Sequence, residues 1–205
     1  MLYTKIKVLY VHGFHGSSTG QSYQNIKEAL PEGYELFSID YDENNCEHAR
    51  NQIYEYVKEN SIDLVIGSSL GGFIVMTLHG LPRFVINPCM HPSKELYKLT
   101  EVNDEFNKMI KTYEKYESWL EKYSDIEERI LAKGFFGDHD ELFGTKYMRE
   151  FHLYYGNYEI INSGHHISKE GAVEMFKNID NYWTHVSRLS KNDNMMNKII
   201  SETYE

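Results

Sequence analysis

Short runs of branched and aromatic apolar residues alternate along this chain with longer amphipathic stretches, and that alternation admits few folds. Parallel strands cannot be joined by tight turns; each needs a crossover long enough for a helix. The pattern therefore predicts an α/β architecture: a doubly wound, mostly parallel six-stranded sheet. Strands are expected at 6–11, 35–41, 63–67, 83–87, 130–136 and 158–162. The run at 63–67 is almost continuously apolar, so it belongs in the centre, buried on both faces. Helices are expected at 22–30, 47–59, 70–79, 145–154 and 169–186, with Pro31 and Gly33 stopping the first.

One stretch breaks the alternation. Residues 93–128 lack a strand but carry Phe106, Met109, Ile110, Tyr113, Tyr116, Trp119, Leu120 and Tyr123 at helical spacing. They are read as a helical cap insert over a site at the strand ends, because long inserts in compact domains usually serve function. The alternative is a helical excursion that merely packs on the body. At 205 residues the chain suits one domain, expected over 1–188, with a frayed polar tail over 189–205.

Composition narrows the partners. The 31 acidic residues outnumber 21 basic ones, for a formal charge of −10, which disfavours nucleic acid. No apolar run reaches the ~20 residues of a membrane span, and Lys5 and Lys7 interrupt the first apolar stretch, which reads as a strand and not a signal peptide. Cys46 and Cys89 have no ligand spacing, so a disulfide framework is set aside and a cytoplasmic location expected.

The chemistry starts at Gly67-Ser68-Ser69-Leu70-Gly71-Gly72, where the central strand meets a helix. A nucleophile elbow turns too sharply there for bulky neighbours, and Gly67 and Gly71 flank Ser69 at the two required positions. A serine hydroxyl needs a base, and Asn162-Ser163-Gly164-His165-His166 offers imidazoles just past the last strand. A carboxylate to orient the base is available in Gly137-Asp138-His139-Asp140-Glu141-Leu142-Phe143, after the preceding strand. The order Ser, Asp, His is the one α/β hydrolases use. His12-Gly13-Phe14-His15-Gly16 follows the first strand, and the backbone amides of Phe14 and Leu70 are assigned as oxyanion donors, with Gly13 allowing close approach. This loop lacks both the dinucleotide fingerprint and the Lys-Ser/Thr of a P-loop, so a phosphate cradle is rejected.

Val8–Ser17 (VLYVHGFHGS), Gly67–Gly72 (GSSLGG), Ile86-Asn87-Pro88, Gly137–Phe143 (GDHDELF) and Gly164–Ile167 (GHHI) resemble the compact bacterial α/β-hydrolase esterases of the YqiA type over most of residues 5–185. The resemblance implies a trimmed α/β-hydrolase fold lacking two N-terminal strands, and a small acyl ester or thioester as substrate. It also ranks the site residues. The superfamily pattern Gly-x-x-Asp followed by an apolar residue favours Asp140, with Asp138 as substitute; Gly-x-His favours His166 as base, with His165 as substitute. The expected enzyme is thus a serine esterase or thioesterase working through Ser69, His166 and Asp140, with no cofactor and no metal.

Two rival classes compete with this reading. In the first, His12, His15, His139, His165 and His166 with Asp138 and Asp140 converge as the metal site of a metal-dependent hydrolase. No pair among them has helical i, i+4 spacing, and a metal would not need the serine elbow. A non-catalytic ligand-binding protein on the same scaffold would typically have lost a triad member. The remaining histidines, His79, His91, His152 and His185, are read as structural or solvated, and tyrosines on the insert would suit a homodimer interface.

Overall fold

A computed structural model describes residues 5–123 and 126–190. Its first half runs β1 (Ile6–Val11), α1 (Gln21–Ala29), β2 (Tyr34–Ile39), α2 (Cys46–Asn60), β3 (Leu64–Ser68), α3 (Leu70–Met76) and β4 (Arg83–Ile86). Then come α4 (Pro92–Glu95), a 3₁₀ turn (Leu96–Lys98), α5 (Asp104–Tyr123) and α6 (Ile126–Leu131). The chain closes with β5 (Ala132–Gly137), α7 (Met148–Tyr155), β6 (Tyr158–Ile161), α8 (Lys169–Phe176) and α9 (Ile179–Ser190). The polar tail expected over 189–205 lies outside the described residues from 191 onward.

The strands form one six-stranded sheet in the order β2-β1-β3-β4-β5-β6, and every neighbouring pair is parallel. Side chains alternate across it. Val8, Tyr10, Leu64, Ile66, Phe84 and Ile86 face Ile26 of α1 and the inner faces of α8 and α9. Leu9, Val11, Val65 and Val85 face Ile53 of α2, Phe73 of α3, Tyr113 of α5 and Phe151 of α7. As expected of the central strand, all of β3 is buried. Burying each large apolar side chain contributes about 1.5–3 kcal/mol, so both faces are needed to offset the chain entropy. The strand order reverses beside β1: the chain leaves it for β2 on one side and returns to β3 on the other. The connections after β1 and β3 therefore cross opposite faces of the sheet, and a crevice opens between them at the strands' carboxyl ends.

Two elements differ from the sequence reading. The single closing helix is two, with a break at Lys177 and Asn178. Buried Ala172, Met175, Phe176, Ile179, Tyr182 and Val186 keep helical spacing through the break, so periodicity alone hides it. The insert is helical, but its aromatic stripe faces inward. Phe106, Met109, Ile110, Tyr113, Tyr116 and Leu120 are buried in the same core as α2 and α3. Polar contacts pin α5 to the body as well: the Tyr113 hydroxyl donates to the Glu43 carbonyl at 2.8 Å, and the Cys46 amide to Thr112 Oγ1 at 3.0 Å. The insert is thus a wall of the body and not a lid. Of the insert's tyrosines, Tyr113 and Tyr116 are core residues, whereas Tyr97 is exposed.

Candidate active site

β3 ends at Ser68 and α3 begins at Leu70, which leaves Ser69 to turn the chain by itself. It does so at φ 52° and ψ −116°, a conformation that costs a side-chain-bearing residue of order 1–3 kcal/mol. Its surroundings hold it there. The Ser69 amide donates to the Ile86 carbonyl at 2.9 Å, and its own carbonyl accepts from Phe73 and Cys89 at 3.1 and 3.0 Å. The turn closes only because its neighbours lack side chains. A Cβ on Gly67 would stand 2.5 Å from the Gly71 carbonyl oxygen, and one on Gly71 would stand 2.2 Å from that of His12.

The serine meets two partners from distant strand ends. His165 Nε2 lies 3.0 Å from Ser69 Oγ, and His165 Nδ1 lies 3.0 Å from Asp140 Oδ1. The Asp140 oxygen also accepts from the amides of Leu142 and Phe143 at 2.8 and 3.0 Å. Burial pushes the Asp140 carboxyl up, but the His165 hydrogen bond, the two amides and the histidine's charge together hold it below the usual carboxylate range. The Phe143 ring meets the imidazole edge-on at 4.8 Å, which limits its rotation.

This corrects the sequence reading, which favoured His166. His166 is exposed at the cleft, its ring 5.6 Å from that of His165, and it reaches neither Ser69 nor Asp140. Asp138, the substitute for the acid, is exposed and turned elsewhere: it pairs with His139 at 2.5 Å and accepts from the Ser163 amide at 3.1 Å. Two further groups went unassigned in the sequence. Glu141 accepts from the His165 amide at 2.9 Å, a bond that lowers its own pKa. The Asn87 amide group donates to the carbonyls of Gly164 and His165.

The loop after β1 runs beside the serine. A Cβ on Gly13 would lie 3.0 Å from Ser69 Cβ, so Gly13 is what lets this loop approach. Leu70 opens α3, and neither its amide nor that of Phe14 donates to any group among the described residues. His12 is buried, its ring stacked on Tyr41 at 4.7 Å, and its carbonyl accepts the Tyr41 hydroxyl at 2.8 Å. It supports the loop. The seven histidines and aspartates of the metal reading do not gather: among the described residues, no group of three or more His, Cys, Asp or Glu is placed to hold an ion.

Ser69 opens into a cleft of about 280 Å³ lined by Tyr10, His12, Phe14, Ser22, Leu142 and His165, among others. Burial raises the Tyr10 hydroxyl to about 12, with Ser22 and Ser68 partly opposing the shift. Among the described residues of the insert only Leu99 reaches this lining, and the buried aromatic stripe of α5 is not part of it.

A parallel sheet with a strained serine turn at the end of a central strand defines a protein of the α/β-hydrolase fold. Solved structures agree. The chain superposes on Est1E from Butyrivibrio proteoclasticus with a TM-score of 0.66 at 17% identity, covering 87% of this chain and 90% of that one. The esterase domain of a Rhodothermus marinus protein gives 0.62 at 17%, covering 90% and 89%. An α/β hydrolase from the metagenome of Mar Chica lagoon sediments gives 0.63 at 15%, covering 88% and 91%. A family model matches residues 7–191, and the chain belongs to that family, described as Uncharacterised protein family (UPF0227). No curated protein sequence matches it significantly. Among the described residues no helix is long and apolar enough to cross a membrane.

Proposed function

We propose that the protein is a serine hydrolase that cleaves a carboxylic ester or acyl thioester through an acyl-enzyme. The observation that carries this reading is the unbroken run of hydrogen bonds from Ser69 through His165 to Asp140, seated on a strained turn. The esterases among its structural relatives support it. Ser69 Oγ attacks the substrate carbonyl carbon while His165 Nε2 takes the hydroxyl proton. Asp140 accepts from Nδ1–H, which selects the tautomer with a free Nε2 and stabilises the imidazolium that forms. The free amides of Phe14 and Leu70 receive the oxyanion, whose loss of one donor costs about 10²–10³ in turnover in a comparable site. Collapse of the tetrahedral adduct expels the alcohol or thiol, which leaves with the proton from His165. Water, deprotonated by the same imidazole, then releases the acid and restores the serine.

The cleft lies just below the usual ~300–1,000 Å³ range for ligand sites, which favours a short or compact acyl group. Both cysteines are free and buried, and burial pushes both thiols up and out of reactivity, which suits a reducing cytoplasm. The test is covalent labelling with a neutral fluorophosphonate, followed by mapping of the adduct. Modification at Ser69, abolished by Ser69→Ala and by His165→Ala, is the expected result. Equal labelling of Ser69→Ala sinks the proposal. A panel of p-nitrophenyl esters and acyl thioesters of rising chain length then separates the substrate classes.

A further inference from the structure

We infer that Asn87 is a positioning residue that sets the base against the nucleophile and the acid, an inference that rests on the serine-hydrolase reading above. Asn87 stands one residue past β4, almost wholly buried, at φ 42°. That left-handed backbone is costly for most residues but tolerated by Asn, so the site keeps an amide there at some strain. Its side chain reaches two loops at once. Nδ2 donates to the carbonyls of Gly164 and His165 at 2.9 and 3.0 Å, and Oδ1 accepts from the Gly137 amide at 2.8 Å. The first pair grips the base loop at the histidine itself; the third bond grips the strand end that leads into Asp140.

The main chain at the same point reaches the nucleophile. The Ile86 carbonyl, in the peptide unit that ends at the Asn87 nitrogen, accepts from the Ser69 amide at 2.9 Å, and the Asn87 amide donates to the Phe135 carbonyl at 2.9 Å. One residue thereby ties the ends of β3, β4 and β5 to the loop after β6. The other grips on the base loop come from the acid loop (Asp138, Glu141 and the His139 amide), from Glu174 of α8 and from Asn25 of α1, and none of these bonds involves the Ser69 turn. Only a carboxamide supplies two donors and an acceptor in one short plane. An ionised aspartate here would keep the bond from the Gly137 amide but turn its other oxygen on the two carbonyls and lose both donations.

The experiment compares Asn87→Gly, which relaxes the backbone and deletes the amide, with the isosteric Asn87→Asp. Both are measured for folding by circular dichroism, for kcat and KM on a neutral p-nitrophenyl ester, and for the downfield His165 Nδ1–H proton resonance. A misplacement of about 1 Å costs on the order of 10² in rate, so kcat should fall roughly 100-fold with KM changed less than threefold. The Nδ1–H resonance should broaden or vanish. In a His165→Ala background, Asn87→Gly should change the residual rate less than threefold, because the group it positions is gone. A folded Asn87→Gly or Asn87→Asp protein with kcat within threefold of wild type overturns the inference. So does an equal further loss in the His165→Ala background, which would mean that Asn87 merely holds the fold. If Asn87→Gly does not fold, Asn87→Asp decides by the same criteria. Loss of fluorophosphonate labelling specificity at Ser69 would instead strike the serine-hydrolase reading, independently of Asn87.

Discussion

Replacing Gly71 with alanine should damage the site without touching any reacting atom. The added Cβ would sit 2.2 Å from the His12 carbonyl oxygen and 2.5 Å from that of Val11. Ordinary C···O contact is near 3.3 Å, so the gap is short by about 1 Å. Both obstacles are main-chain atoms and cannot swing aside. Val11 is in register with Gly67 across β1 and β3, and the His12 carbonyl also holds the Tyr41 hydroxyl. Relief therefore means pushing the end of β1 away from the elbow, and Gly13 and Phe14 move with it. Overpacking typically costs about 1–3 kcal/mol, and a clash against paired backbone belongs at the upper end, so about 3 kcal/mol is expected. Acylation should fall further than stability requires, on the order of 10²-fold, because the loop proposed to receive the oxyanion is displaced relative to Ser69. Urea unfolding with an unchanged m-value measures the first, and the rate of fluorophosphonate labelling measures the second. Gly72→Ala is the matched control: its Cβ would meet Pro88 at 3.2 Å and the Gly67 carbonyl oxygen at 3.3 Å, short by only a few tenths of an ångström, and should cost less than about 1.5 kcal/mol. A Gly71→Ala protein as stable as wild type and labelled as fast would refute the close-approach argument.

Three further outcomes are expected. Asp140→Asn should lower kcat about 10⁴-fold, as loss of the orienting carboxylate does in a comparable triad, whereas Asp138→Asn should stay within tenfold; likewise His165→Ala should cost at least about 10³ and His166→Ala at most tenfold, all read by steady-state kinetics. Glu128→Ala should destabilise by about 3–5 kcal/mol in urea, because it strands the fully buried Arg83 guanidinium, while Arg83→Met combined with Glu128→Leu should cost less than that single change. His91, between Glu117 and Glu150, has its pKa raised mainly by the Glu117 hydrogen bond against opposing burial. Its stabilisation is therefore complete below the unfolded value of about 6.5 and lost as pH rises through the higher folded value, so His91→Ala should cost about 0.5–1 kcal/mol at pH 5.5 and less at pH 9. An equal or larger cost at pH 9 would contradict that assignment.

The sheet was legible because its signal is local: apolar runs of strand length, separated by amphipathic helices, leave little choice of architecture. The elbow was legible for the same reason, since Gly67, Ser69 and Gly71 lie within five consecutive residues. Less local features were not. The aromatic stripe of α5 predicts that one face is buried but not against what, and it packs on α2 instead of over the cleft. Asn87 carries no periodic or motif signal of its role, because its three side-chain partners lie 50 to 78 residues away.

The choice between the adjacent histidines was a different kind of miss, because the deciding signal is present in the sequence. Beyond β6 the chain bends at 162 and again at 165–166, yet burial still alternates: Ile161, Ser163, His165 and Ile167 are buried, while Asn162 and His166 are exposed. Ile161 and Ile167 are both odd-numbered, and both belong to the core beneath α8 and α9. With both anchors buried, the loop between them carries residue 165 inward and residue 166 outward, the alternation a strand would show. The Ser163 hydroxyl reinforces the phase by donating to the His166 carbonyl at 3.2 Å and accepting from the Ser168 amide at 3.0 Å. A short motif fixes the spacing from a glycine, which a loop can vary; the two isoleucines fix the face, which the core cannot. Where the two conflict, the apolar anchors decide which imidazole faces Ser69.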